Sequence, residues 1–165
     1  MQFIYHYQSP LGTMTLACDE AGLVGVWFDA QKYFGSTLAA GAIEGTTPIL
    51  SDAVCWLDDY FRGVRPNYIP NLSLKGSNFR LKVWSFLQEI PYGQTTTYKA
   101  LAEKVARSEG KMQMSAQAIG GAVGHNPVSI IVPCHRVVAT DGSLTGYAGG
   151  LERKAALLRL EGIIL

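Results

Sequence analysis

Cys134 lies in the run Ile131-Val132-Pro133-Cys134-His135-Arg136. A thiol beside imidazole and guanidinium groups is expected to have a lowered pKa and more thiolate, which is the nucleophilic form. A buried, inert cysteine is the competing reading. Adjacent residues of an extended chain point to opposite faces. His135 can therefore serve the sulfur only if the chain turns at Pro133-Cys134 or a water bridges the two. Glu161 is a second anomaly. It falls in the last turn of the final helix, where the macrodipole disfavours a carboxylate, so a buried cation or imidazole is its expected partner. Tyr98 opens a helix and Asn126-Pro127 reads as a turn; unaided, both fit simple packing.

These residues need elements to hold them. Phe3–Tyr7 is rich in aromatic and β-branched residues. Met14, Leu16 and Cys18 alternate with Thr13, Thr15 and Ala17, the pattern of a half-buried strand. Leu23–Phe28 follows the turn at Asp19–Gly22, so an antiparallel meander is expected. Residues 35–48 read as loop. Ser51 is expected to cap a helix with Ala53, Val54, Leu57, Tyr60 and Phe61 on its apolar face, stopped at Gly63. A short strand is expected around Leu72 and Leu74. Gly76-Ser77 marks a boundary between units 1–75 and 76–165. Ser77 or Asn78 caps a helix with Phe79, Val83, Phe86, Leu87 and Ile90 on one face. A helix from Tyr98 to about Ala106, a polar connection and a helix Ala116–Val123 capped by Ser115 form a helix-turn-helix pattern. Val128–Val132 is an apolar β-branched run stopped by Pro133. The last helix runs from Leu151 to Leu160.

Composition narrows the class. With 165 residues, 48% hydrophobic and 16% charged, the chain can bury a core and is not disordered. The net charge of +1 conceals an asymmetry. Residues 1–75 carry four basic and seven acidic residues, residues 76–165 ten and six. The second half, with Lys99, Lys104, Arg107 and Lys111, can meet phosphates. Ser115, Ala116, Gly120 and Gly121 give the second helix a small-sided surface, for close packing or close approach to DNA. The three cysteines fit no disulfide framework, and with His6 and His125 show no metal spacing. Phosphate-binding and dinucleotide glycine motifs are absent, so no cofactor is expected. With no signal peptide and no apolar run near ~20 residues, a cytoplasmic location without membrane partners is expected.

Ile131–Val138, with Gly142–Leu151, Ile90-Pro91-Tyr92-Gly93, Tyr98 and Gly124-His125-Asn126-Pro127, resembles the methylated-DNA–protein-cysteine methyltransferases, also called O6-alkylguanine-DNA alkyltransferases. The resemblance implies an α/β (α+β) fold. A small N-terminal antiparallel sheet with a helix would precede a mostly helical, winged-helix-like domain containing the helix-turn-helix. It implies that Cys134 accepts an alkyl group from O6 of guanine in double-stranded DNA, and from O4 of thymine. His135 would act as base through a water, oriented by Glu161. Asn126 would brace the turn carrying the cysteine. Tyr98 would help rotate the nucleotide out and assist protonation of the departing guanine. Backbone groups at Cys134, Val137 and Ala148 would read the base, and Tyr147, Ala148 and Ser129 would set the pocket's width. Extrusion is physically required, because a thiol cannot reach a stacked base. Gln117 stands where many members carry the arginine that fills the gap left by that base, and it lacks arginine's charge and planar fork. Some members bind zinc in the N-terminal domain; Cys18, Cys55 and His6 are too few, so none is expected here. A stable thioether implies one turnover per molecule, and a monomer is expected.

Other classes fit the residues less well. A non-catalytic sensor of alkylated bases would lack the acceptor cysteine. A helix-turn-helix regulator explains neither the Pro-Cys-His-Arg run nor Tyr147–Gly150. A thiol hydrolase needs an oxyanion hole that the sequence does not reveal.

Overall fold

The computed structural model describes residues 1–165. The chain divides into two compact units, Met1–Lys75 with Pro127–Ile131, and Gly76–Asn126 with Val132–Leu165. No helix is long and apolar enough to cross a membrane.

The first unit is a four-stranded sheet in the order β3-β2-β1-β4, with strands β1 (Phe3–Ser9), β2 (Gly12–Cys18), β3 (Leu23–Phe28) and β4 (Ile43–Glu44). The expected meander forms, with β1 and β3 both antiparallel to β2. The turn before β3 is tied by Asp19 Oδ1, which accepts from the Ala21 and Gly22 amides at 2.8 and 3.0 Å. β2 is not half-buried: Met14 to Cys18 are all buried. Thr15 explains how a polar position goes inside, since its hydroxyl donates to Asp29 at 2.8 Å. Ala17 packs with Val24, Trp27 and the half-buried Ile4 and Leu38. β4, read as loop, is a two-residue parallel pairing to β1.

Helix α1 spans Pro48–Phe61. Its cap is Thr47, not Ser51: the Thr47 side chain accepts from the Leu50 amide, and Pro48 supplies a preset first-turn φ. Its buried residues are Leu50, Ala53, Trp56, Leu57 and Tyr60. Trp56, omitted from the expected face, stacks on Tyr60 at 5.4 Å, while Val54 and Phe61 are only partly covered. The strand expected near Leu72 reduces to a single parallel bridge with Leu23.

The second unit holds α2 (Asn78–Leu87), α3 (Tyr98–Ser108), α4 (Ala116–Gly124) and α5 (Leu151–Leu160). Ser77, Thr97 and Ser115 each accept a first-turn amide and cap α2, α3 and α4. α2 stops at Leu87, before Ile90. Trp84 is buried and its indole N–H donates to Ala122 O of α4 at 2.8 Å. α3 and α4 pack on one another. A pairing absent from the sequence reading joins β5 (Thr96–Thr97) in parallel to β6 (Val137–Val138). The run Val128–Val132 forms no strand. Val128 makes one bridge to Val26, and Ile130 adopts φ +70°.

Candidate active site

Cys134 opens a 3-10 turn, Cys134–Arg136. The turn is closed by the Arg136 amide donating to Pro133 O at 3.0 Å, so the chain does bend where the sequence required it. Val132 O accepts twice, from the Cys134 amide at 2.8 Å and from Asn126 Nδ2 at 2.7 Å. The Asn126 side chain also hydrogen-bonds the sulfur. The expected lowering of the thiol pKa is reversed. Burial pushes it up, and the opposing pull of the Asn126 hydrogen bond and the Lys154 charge does not offset that. A buried thiol of this kind is protonated at rest and needs a base.

His135, the next residue, is held in a buried pair. Its Nε2 lies 2.6 Å from Glu161 Oε2, with both side chains fully buried. Glu161 caps the C-terminus of α5, and its partners resolve the dipole conflict. Arg136 Nε donates to Oε1 at 2.8 Å, and the Gly93 amide donates to the same oxygen at 3.0 Å. Burial alone would raise the Glu161 pKa, but His135, Arg136 and Gly93 hold it at about 2. An ionised carboxylate on Nε2 demands the proton there, which leaves the Nδ1 lone pair as the basic position. Burial, reinforced by the Arg136 and Lys154 charges, outweighs the pull of Glu161 and lowers the His135 pKa. The imidazole is therefore neutral near pH 7 and able to accept a proton.

Tyr98 is held at the first residue of α3. Its hydroxyl donates to Thr145 O at 3.0 Å, with Gly146 O at 3.3 Å. Lys154, fully buried in α5, donates to the same two carbonyls and to Val137 O, at 2.8, 3.2 and 2.6 Å. Its ammonium also lies 5.7 Å from the Tyr98 ring centroid. Burial lowers Lys154 to about 8, opposed by Cys134. Burial, then Cys134, raises Tyr98 to about 12. Tyr98 and Lys154 together fasten the segment leading into Tyr147 and Ala148, both half-buried. Val137 is buried, and its carbonyl is engaged by Lys154.

The second unit thus gathers Cys134, His135, Glu161, Asn126 and Tyr98 with their supports. Arg136, Gly93 and Lys154 were not identified as site residues from the sequence. Gly93 was legible only within the Ile90–Gly93 run of the family resemblance, with no contact of its own assigned. Lys154 had a signal, a lysine three residues into an otherwise amphipathic helix, that ordinarily means an exposed face. Ser129 lies in the first unit, buried, with its hydroxyl 3.3 Å from Gln31 Oε1. No group of three His, Cys, Asp or Glu side chains is arranged to hold a metal ion.

Gln117, Ser115, Ala116 and Gly121 are exposed on α4, and Lys99 on α3. A Cβ added at Gly120 or Gly121 would meet nothing within 4 Å. Packing inside the protein therefore does not require these glycines. Beside them, Tyr98, Lys99, Ala102, Met114, Ala116 and Ala139 line a groove of about 490 Å³. Of the other basic residues, Lys104 pairs with Glu89 and Lys111 with Glu109.

The 6-O-methylguanine DNA methyltransferase DNA binding domain matches residues 78–163, and the ribonuclease-like domain of the same proteins matches residues 4–69. The chain belongs to the methylated-DNA–protein-cysteine methyltransferase family. A methyltransferase of this family from Mycobacterium bovis is 40% identical over 163 residues, covering 94% of this chain and 92% of the relative. One from Methanosarcina acetivorans is 37% identical over 162 residues, covering 94% and 96%. The solved structure of Mycobacterium tuberculosis OGT in complex with DNA superposes with a TM-score of 0.84 at 37% identity, covering 96% of this chain and 92% of that one. The α/β architecture is that of this methyltransferase family.

Proposed function

We propose that the protein repairs DNA by moving an alkyl group from O6 of guanine, or O4 of thymine, in duplex DNA onto Cys134. The observation that carries this reading is the buried His135–Glu161 pair next to a buried thiol. His135 Nδ1 takes the thiol proton through a water, and Glu161 stabilises the imidazolium that forms. The thiolate then attacks the alkyl carbon in line. The S–C bond forms as the C–O6 bond breaks, and the electron pair goes to the base. The Tyr98 hydroxyl passes a proton to the departing base, leaving it neutral, and regains one through solvent from the His135 imidazolium, so the thiol proton ends on the base. Asn126 steadies both the sulfur and the Val132 carbonyl behind it.

The thiol can meet the lesion only after the base leaves the stack. α3 and α4 act as a helix-turn-helix, with α4 entering the minor groove and Gln117 occupying the space of the extruded base. Ser115, Ala116, Gly120 and Gly121 let the α4 backbone approach the duplex, and Lys99 neutralises phosphate. Tyr147, Ala148 and the backbone at Val137 receive the base. The stretch 76–165 thereby carries DNA binding and alkyl acceptance, and residues 1–75 support it. The protein acts as a monomer without cofactor. A thioether has no leaving group that would restore the thiol, so each molecule acts once.

The deciding experiment is incubation with a duplex carrying O6-methylguanine, followed by intact mass and peptide mapping. One methyl on Cys134 and one lesion lost per protein are expected. Lesion binding with no mass change would instead favour a non-catalytic sensor.

A further inference from the structure

Pro127–Ile131 belongs to the first unit, although the residues on either side of it, Asn126 and Val132, belong to the second. All five residues are buried. The segment lies along β3: the Val26 amide donates to Pro127 O at 2.8 Å, and the Ser129 amide donates to Val26 O at 2.9 Å. The chain then reverses abruptly. Ile130 takes φ +70°, and the Ile131 amide donates back to Ser129 O at 2.8 Å. A β-branched residue in the left-handed region is strained, and persists only where its surroundings over-determine it.

Gln31 is a side chain that meets this segment. It is buried, and its own turn fixes it: the Gln31 amide donates to Phe28 O at 3.1 Å, and Nε2 donates to Lys32 O at 3.1 Å. Oε1 accepts from the Phe28 amide at 2.9 Å, which fixes which end of the amide is which. A carbonyl oxygen has a second lone pair, and the Ser129 hydroxyl donates to it at 3.3 Å. Three residues beyond Ser129 comes Val132, whose carbonyl holds both Asn126 and the Cys134 amide. The backbone that presents the sulfur is therefore tied at Ser129 on one side and at Asn126 on the other.

We propose that Gln31 is a positioning residue for alkyl transfer, acting through Ser129 to hold the strained Pro127–Ile131 turn from which the Cys134 backbone departs. The inference rests on the reading of Cys134 as the alkyl acceptor. It gives the first unit a definite part in the reaction: a fixed hydrogen-bond acceptor that sets the geometry of the nucleophile.

The test compares full-length wild type with Gln31→Leu, Gln31→Glu, Ser129→Ala and the Gln31→Leu/Ser129→Ala double variant. Two quantities are read on an O6-methylguanine duplex: the single-turnover rate at saturating DNA and the dissociation constant. Gln31→Leu and Ser129→Ala are each expected to slow the saturating rate about five- to tenfold, the equivalent of one hydrogen bond, with DNA affinity unchanged. The double variant should be no slower than the worse single, because both break the same link. Gln31→Glu keeps an oxygen for Ser129 but loses the donor to Lys32 O, so it should recover part of the rate lost in Gln31→Leu. Should Gln31→Leu fail to fold, Ser129→Ala and Gln31→Glu still decide the matter. Wild-type rates in Ser129→Ala, or additive losses in the double variant, would overturn the proposal while leaving the acceptor role of Cys134 intact. No transfer by wild type would overturn both.

Discussion

Three donors converge on the two oxygens of Glu161. Replacing it with Gln keeps the shape but leaves Arg136 as a nearly buried cation without its anion. Losing one member of such a pair costs on the order of 3–5 kcal/mol, so Glu161→Gln is expected to lower urea stability by that amount and to slow transfer. An unchanged denaturation midpoint would refute the assignment. The pH dependence follows from the same atoms. Glu161 titrates at about 2 when folded against 4.5 ordinarily. Its stabilisation is complete above about pH 4.5 and is lost as pH falls toward 2, up to about 3 kcal/mol in all. His135 is also lowered on folding. Its contribution is present above its ordinary 6.5 and is lost as pH falls below that value, since the unfolded chain takes the proton first. Urea titrations from pH 8 to pH 4 should show stability declining from about pH 6.5, and His135→Gln should remove the upper part of that decline.

Elements carry the next set of consequences. Gly120 and Gly121 lie within α4, and an added Cβ there would meet nothing. Alanine at either position should stabilise the helix by roughly 0.5–1 kcal/mol. On the proposed docking the same methyl group meets the duplex instead. Gly121→Ala is thus expected to melt higher and bind DNA more weakly; tighter or equal binding would count against α4 as the groove element. Gln117→Arg should raise affinity and steepen the salt slope of binding by up to about one unit, the effect of one added positive charge within the duplex. Element identities were legible where the cause is local. Ser77 and Ser115 cap as expected because a cap needs only its own first turn. Thr47 was missed because Pro48, rather than an apolar run, starts that helix. The pairings β4 with β1 and β5 with β6 are two residues long, too short for any periodicity to announce them. Within the site, Cys134, His135 and Glu161 could be read from residue type and motif. The Gly93 and Lys154 contacts could not, since Gly93 meets a carboxylate 68 positions away and Lys154 resembles any surface lysine of a helix.

For the molecule as a whole, the proposed alkyl transfer makes the reagent part of the fold. Cys134 is only 5% exposed and sits in a turn closed on both sides by hydrogen bonds. Methylating it enlarges a packed side chain by one methyl group and removes a thiol proton. Overpacking of this kind usually costs about 1–3 kcal/mol. It also puts the Asn126 hydrogen bond on a weakly accepting thioether, and Asn126 shares the Val132 carbonyl with the Cys134 amide. The product should therefore be less stable than the reagent, with the strain concentrated in the stretch from Asn126 to Arg136. For a chain of 165 residues, each kcal/mol corresponds to roughly 2–4 °C in melting temperature. Stoichiometrically methylated protein, freed from DNA, is expected to melt about 3–10 °C below the unmodified protein, and to exchange the Cys134 and Arg136 amides faster. Equal melting temperatures would mean that the turn already holds room for the alkyl group. The burial of Cys134 would then serve only to exclude water from the thiol, and not to couple the spent state to the stability of the fold.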